Sequence, residues 1–293
     1  AKHIKTYNTN GETQASTARD DMATEGDSDT SKPLLLLADD NDDIRAYVAA
    51  ELADSYRVAI ARNGREAMQM AMEETPDIVV SDVMMPEMDG IELCGRLKND
   101  IHTSHVPVVL LTAKTTNDDR EEGYKCGADS YLTKPFSANL LRVRLKNILE
   151  TRQRLARMLA KANVDKAGDM TEAERNETKD SLTSMDREFV KQLNKLIREN
   201  MGNSEIDMAF FTDRMNMSYS SFYRKVKALY DMTPVELLRK MRLSLSAQLL
   251  RQGDCSVTEA ATKSGFDNMG HFRKCFKDEY GVAPSEYSKH GKR

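Results

Sequence analysis

The sequence predicts an α/β domain built on a doubly wound, five-stranded parallel sheet, followed by an all-α domain. Three observations predict it. Between residues 33 and 150, five short apolar runs alternate with stretches of helical period, the pattern of strand–helix–strand units. Near the carboxyl end a segment repeats at an offset of fifty residues, each copy reading short helix, turn, longer helix. Charge also changes sign between the halves: residues 33–150 carry 13 basic and 21 acidic side chains, net −8, and residues 186–293 carry 19 basic and 14 acidic, net +5. At 293 residues the chain suits two domains, and a basic half suggests a nucleic-acid partner.

Residues 1–32 are polar, rich in Thr, Asp, Asn and Ser, and are expected to be a disordered linker or tail. Leu34-Leu35-Leu36-Leu37-Ala38 is the first strand. Residues 42–54 read as a helix with Ile44, Val48 and Leu52 on one face, and 56–60 as the second strand. A second helix over 64–74 carries Met68, Met70 and Met72, expected as core filler. Ile78-Val79-Val80-Ser81 is a β-branched run of the kind buried on both faces of a sheet. Asp82 follows it directly, and Met85-Pro86 and Asp89-Gly90 then turn the chain. The fourth strand is 106–111 and the fifth 129–133.

An aspartate at the carboxyl end of a parallel strand sits where open α/β sheets bind ligands. Taken alone, Asp82 reads more readily as the cap of the next helix, by about two to one. The other strand ends decide between the two: they carry Asp39-Asp40, Thr112-Ala113 and Lys134-Pro135. Three carboxylates, a hydroxyl and an ammonium on one sheet edge suit phosphoryl transfer to a carboxylate. Asp39, Asp40 and Asp82 offer hard oxygen ligands to Mg²⁺, and Asp82 is the nucleophile. Lys134 pairs with the phosphoryl oxygens, and Thr112 donates a hydrogen bond to them.

This ordered set, with Met85-Pro86 and Asp89-Gly90, resembles the receiver domain of two-component response regulators over roughly residues 33–150. The resemblance implies the flavodoxin-like strand order and a histidine kinase as phosphodonor to Asp82. It also implies Mg²⁺ held by Asp39, Asp40, Asp82 and the main-chain carbonyl of Met84, and a cis Lys134–Pro135 peptide. Tyr131 lies in the fifth strand, where it is either a packing residue or, as the resemblance implies, a switch that moves with Thr112.

From Ser137 the pattern is helical, and Leu141, Leu145, Ile148, Arg152, Leu155 and Leu159 fall at heptad spacing with one polar interruption. Either the first half packs on the sheet and the second is a solvated basic helix, or the seam pairs with a second copy in a homodimer formed on phosphorylation. Residues 151–185 are expected to be this extended helix and an interdomain linker.

The second domain, 186–293, opens with a helix whose apolar face is Phe189, Val190, Leu193, Leu196 and Ile197. In the repeat, Phe222 matches Phe272, Lys227 matches Lys277, Tyr230 matches Tyr280, Pro234 matches Pro284 and Glu236 matches Glu286. Each copy is a helix-turn-helix unit. Between them, residues 234–251 make one helix of about 27 Å, a strut able to hold two recognition helices apart for successive major grooves. The repeat, with Gly265-Phe266 and Gly281-Val282-Ala283-Pro284-Ser285-Glu286-Tyr287, resembles the AraC-type DNA-binding domain. That resemblance places recognition helices at 218–230 and 268–280. Their expected contacts to double-stranded DNA are Ser218, Ser220, Ser221, Arg224 and Lys227 in the first, and Asn268, Met269, His271, Arg273, Lys274 and Lys277 in the second, with Arg273 and Lys277 on phosphate. Four positions depart from the family: Gly270, Asp231 in place of a turn glycine, Ala260 and Ser264. They predict a lightly packed second unit.

Cys94, Cys126, Cys255 and Cys275 form no metal-spaced cluster, which suits reduced thiols and a cytoplasmic setting. No apolar run approaches the ~20 residues of a membrane helix. A haloacid-dehalogenase-type phosphatase needs a second Asp two residues after its nucleophile, where this chain has Met84. The domain order resembles the carboxyl-terminal part of a hybrid two-component regulator. That implies a phosphoacceptor acting on the transcription machinery, not itself an enzyme, with a histidine kinase in the same or another chain. A phosphorelay way-station is the remaining alternative.

Overall fold

The computed structural model describes residues 32–113, 126–164, 181–253 and 255–290. Strands β1 (Leu34–Ala38), β2 (Arg57–Ala61), β3 (Ile78–Asp82), β4 (Val108–Thr112) and β5 (Ser130–Thr133) form one parallel sheet of order β2-β1-β3-β4-β5. The three central strands are buried at every residue and the two edge strands only in part, as a sheet covered on both faces requires. Alternate side chains feed two cores. Leu36, Val79, Val108 and Leu110 pack with Ala67 of α2 (Gly64–Glu73) and Leu93 and Leu97 of α3 (Gly90–Asn99). Leu35, Leu37, Val80 and Leu111 pack with Val48 and Leu52 of α1 (Asp42–Leu52) and with Leu141 and Leu145 of α4 (Ala138–Val164).

Two expectations for this half need correction. Met68 and Met70 only border the core and Met72 is exposed. Gly64, Ala67 and Ala71 line the buried side of α2 because the helix starts hard against Met88: a Cβ on Gly64 would lie 2.5 Å from the Met88 carbonyl oxygen. The heptad seam is the second. Leu141 and Leu145 are buried in the sheet core, while Leu159 is buried among helices of the second half. Arg152, the polar interruption, ion-pairs with Asp129 just before β5. Helix α4 therefore spends its apolar stripe within its own chain, half on each domain.

The second half comprises α5 (Ser184–Asn200), α6 (Met208–Met215), α7 (Tyr219–Tyr230), α8 (Pro234–Gln252), α9 (Val257–Lys263), α10 (Met269–Tyr280) and α11 (Pro284–His290). The fifty-residue offset is visible in the backbone. Helix α7 ends on Asp231 at φ 52° and α10 ends on Gly281 at φ 75°. The aspartate takes up the left-handed turn that glycine makes freely. Helix α8, the strut, opens at Pro234 behind a capping box of Thr233 and Glu236. One core gathers Phe189, Phe211, Phe222, Val226 and Tyr230 with Leu159, Ala160 and Val164 of α4. The other gathers Leu243, Ala247, Leu250, Phe266, Phe272 and Phe276. The second unit is closed where light packing was expected. Ala260 and Ser264 are fully buried, and the Ser264 hydroxyl donates to the Ala260 carbonyl at 2.6 Å.

Residues 1–31 of the expected tail (1–32), most of the expected linker (165–180) and the segment 114–125 between β4 and β5 lie outside the described residues. Among the described residues no helix is long and apolar enough to cross a membrane.

Candidate functional site

Because all five strands are parallel, their carboxyl ends share one edge, and the order β2-β1-β3-β4-β5 reverses direction between β1 and β3. Asp39 follows β1 and Asp82 ends β3, so the two carboxyl groups meet at that switch point. One carboxylate oxygen from each of Asp39, Asp40 and Asp82 lies within 4.8 Å of the other two. Lys134 reaches in from beyond β5, its Nζ 2.9 Å from Asp39 Oδ2 and 2.9 Å from Asp82 Oδ2. The Lys134–Pro135 peptide is cis.

Local structure holds these groups still. The Asp39 carboxylate accepts the Asn41 backbone N–H at 2.9 Å, and its carbonyl accepts from the buried Arg45 guanidinium. Asn41 caps α1, and Asp89 caps α3 by accepting the Glu92 N–H. Gly90 lies so close to the end of β3 that a Cβ there would fall 2.1 Å from the Asp82 carbonyl oxygen. This explains the Asp89-Gly90 pair: the aspartate starts the helix, and the glycine lets it start against the backbone of Asp82.

Burial pushes the Asp82 carboxyl up, and the neighbouring Asp39 charge adds to that; the hydrogen bond from Lys134 and the Met84 backbone N–H oppose it. Burial pulls Lys134 down, but its hydrogen bonds to Asp39 and Asp82 outweigh that and raise it above the ordinary lysine value. The ammonium is thus held charged between two carboxylates. Hard, clustered carboxylate oxygens with one exposed member, Asp40, are the donor set that suits Mg²⁺. Thr112 is buried at the end of β4. Tyr131 is half-buried, its hydroxyl 3.7 Å from Cys126 Sγ. Met84 is exposed.

The candidate nucleic-acid contacts fall into two groups. Arg273, Lys274, Lys277 and His271 are exposed on α10. Asn268 is its cap, accepting the His271 N–H at 2.9 Å, and Met269 is half-buried against the second core. On the first unit Ser218 caps α7 by accepting the Ser221 N–H and also hydrogen-bonds the Ser220 and Ser221 hydroxyls. Arg224 is half-buried and Lys227 exposed. Sequence reasoning passed over Lys225, which is fully buried and bonds Asp186 Oδ1 at 2.6 Å and the Ser104 hydroxyl at 2.8 Å. A lysine at a core phase of α7, one residue before Val226 and three after Phe222, was the available signal.

Residues 35–146 match the response regulator receiver domain family, and residues 211–290 match a helix-turn-helix domain family. The chain therefore contains a response regulator receiver domain and, after it, an AraC-type helix-turn-helix domain. Histidine kinase P4 of Formosa agariphila is 35% identical over 268 residues, covering 92% of this chain and 18% of that protein. The chain thus spans less than a fifth of the length of that relative. The phosphate regulon transcriptional regulatory protein PhoB of Pseudomonas aeruginosa is 40% identical over 116 residues, 39% of this chain and 51% of that protein. Among solved structures, the chemotaxis response regulator CheY4 of Vibrio cholerae is 33% identical, covering 40% of this chain and 98% of that one, with a TM-score of 0.39.

Proposed function

We propose that this chain takes a phosphoryl group from a histidine kinase onto Asp82 and converts it into controlled binding of double-stranded DNA by its two helix-turn-helix units. The observation that carries the reading is the meeting of Asp39, Asp40 and Asp82 with Lys134 at the switch point of the sheet. An Asp82 carboxylate oxygen attacks phosphorus, forming a P–O bond as the P–N bond of a phosphohistidine breaks, and the departing imidazole recovers its proton from solvent. Asp39, Asp40 and Asp82, with the Met84 carbonyl, would hold Mg²⁺. Bound there, the ion supplies neutralising charge for the incoming phosphoryl group. Lys134 already touches Asp82 and pairs with the phosphoryl oxygens once they arrive. Thr112, at the end of the adjacent strand, donates its hydroxyl to the same oxygens, and Tyr131 follows it.

The output rests on α7 and α10, whose basic residues meet phosphates while their early residues face base edges. The long relative named as a histidine kinase supports reading the chain as the receiver and output part of a hybrid protein, with the kinase in the same polypeptide. Phosphodonor and DNA together set the work in the cytoplasm. Incubation with a small phosphodonor and Mg²⁺ tests the acceptor. The wild type should gain acid-stable, hydroxylamine-labile phosphate and Asp82→Asn none; undiminished labelling of Asp82→Asn would sink the assignment. A mobility shift with duplex DNA separates this regulator from a way-station that only passes phosphate on.

A further inference from the structure

The four cysteines are far apart in sequence, but folding brings two of them together. Cys94 lies on the buried side of α3, and Cys126, 32 residues further on, stands just before β5. The Cys94 thiol donates to the Cys126 carbonyl oxygen at 3.5 Å, and the two sulfur atoms are themselves hydrogen-bonded. The frame around them is firm. Gly127 turns the chain at φ 85°, a conformation that glycine takes up freely. One helical turn after Cys94, the buried Lys98 ammonium bonds Asp129 Oδ2 at 2.7 Å and the Val106 carbonyl oxygen at 2.8 Å. Residues four apart share a helix face, so this ion pair ties the turn that carries Cys126 to the face of α3 that carries Cys94.

The two thiols are unequal. Cys94 is fully buried, whereas Cys126 keeps part of its surface in solvent. Three donors stand around Cys126 Sγ: the Cys94 thiol, the Tyr131 hydroxyl at 3.7 Å and the Ala128 backbone N–H. The hydrogen bond from Cys94 is the main cause holding the Cys126 thiol below its ordinary value; burial opposes it, and the bonds from Tyr131 and Ala128 add to it. The same bond, with burial, pushes Cys94 up. Cys126 is thus the thiolate and Cys94 its proton-bearing partner, the division of roles that stepwise thiol oxidation requires. We propose that Cys94 and Cys126 form an oxidation site of the receiver, at which a hydroperoxide is the oxidant and an intrachain disulfide the product. The Cys126 thiolate attacks one peroxide oxygen: an S–O bond forms as the O–O bond breaks, and the other oxygen leaves with the electron pair and takes a proton from water. Cys126 is then a sulfenic acid. The Cys94 sulfur attacks the Cys126 sulfur, and the thiol proton goes to the departing hydroxyl, which leaves as water. Two electrons pass from the thiol pair to the peroxide. Because Cys94 waits beside it, Cys126 is captured before further oxidation makes it irreversible, and a dithiol reductant reverses the bond by exchange. Neither thiol belongs to the aspartate cluster at Asp82.

The test uses the full chain carrying Cys255→Ser and Cys275→Ser, so that Cys94 and Cys126 are the remaining thiols, reduced and then freed of reductant. Hydrogen peroxide is added, and free thiols are counted while peptides are mapped by mass spectrometry without reduction. Both thiols should vanish together, a peptide pair joined through Cys94 and Cys126 should appear, and dithiothreitol should restore both thiols. Adding Cys126→Ser should slow oxidation of Cys94 by about tenfold or more, since the buried thiol loses the thiolate that meets the oxidant for it. Adding Cys94→Ala instead should leave Cys126 to be trapped by dimedone as the sulfenic acid. The same variant should slow alkylation of Cys126 by iodoacetamide at neutral pH roughly tenfold, because its principal hydrogen-bond donor is gone. That readout separates an activated thiolate from two cysteines that merely lie close. Retention of both thiols at a peroxide level that consumes Cys255 and Cys275 in the unsubstituted chain would overturn the site. So would disulfides formed only between chains, or oxidation of Cys94 that is as fast in Cys126→Ser, with native circular dichroism, as with Cys126 present.

Discussion

Replacing Lys225 by methionine removes an ammonium from a site with no solvent access while keeping most of the side chain's volume. Asp186 Oδ1 then loses its 2.6 Å partner, and Asp186 Oδ2 has no hydrogen bond to fall back on. The contact of the ammonium over the Phe189 ring, 5.1 Å from its centroid, goes as well. Removing one member of a buried pair costs about 3–5 kcal/mol because the survivor is left charged and desolvated. Burial pushes the Asp186 carboxyl up, yet the Lys225 charge and hydrogen bond hold it below its ordinary value, so the carboxylate is the form the fold is built around. Lys225→Met with Asp186→Leu removes both charges and should return to within about 1–2 kcal/mol of wild type, the Ser104 hydroxyl being the one group left without partners there. The chain has no tryptophan, so guanidinium unfolding followed by far-ultraviolet circular dichroism is the assay. A loss below about 1 kcal/mol for Lys225→Met, or a double variant no better than the single, would refute the account of this contact.

Burial, reinforced by the Lys225 charge, pushes the neighbouring His105 imidazole down to about 3. Its unfolded value is near 6.5, so the unfolded chain binds a proton that the fold refuses: stability is full above about pH 6.5 and falls on acidification by up to about 1.4 kcal/mol per unit, and His105→Gln should flatten that slope in a pH series of unfolding curves. Gly90→Ala drives a Cβ against the Asp82 carbonyl at 2.1 Å and should cost about 1–3 kcal/mol together with most of the acyl-phosphate yield, whereas full labelling would show that the turn yields freely. Thr233→Ala removes the capping box of α8 and should lower stability by about 1 kcal/mol without changing phosphate incorporation, both measurable on the same preparation.

Strand positions, the converging aspartates and the repeated unit were legible in the sequence because each rests on local pattern. Buried parallel strands are apolar along most of their length, so Leu34–Ala38 and the Ile78-Val79-Val80 run announce themselves, and the aspartates that follow them fall at the ligand-binding edge. The fifty-residue repeat survives because each copy needs the same aromatic core positions and the same left-handed stop at Asp231 and Gly281. The donor set at Asp39, Asp40, Asp82 and Lys134 followed from topology alone.

What a one-dimensional pattern does not carry is which surface a stripe meets. The leucines of α4 have heptad spacing whether they face a twin helix or two different cores, and only the tertiary structure assigns Leu141 and Leu145 to the sheet and Leu159 to the second domain. Lys225 reads as one more basic residue on a basic helix until folding sets Asp186 and Ser104, 39 and 121 residues away in sequence, around its ammonium. Charge and burial compete at such a site, and the outcome depends on partners brought in from distant segments. The sequence by itself determined the two domains, their order and the sheet edge on which the aspartates converge, because those follow from period and strand ends. The seating of the receiver half against α7 was decided by long-range contacts that no local pattern encodes.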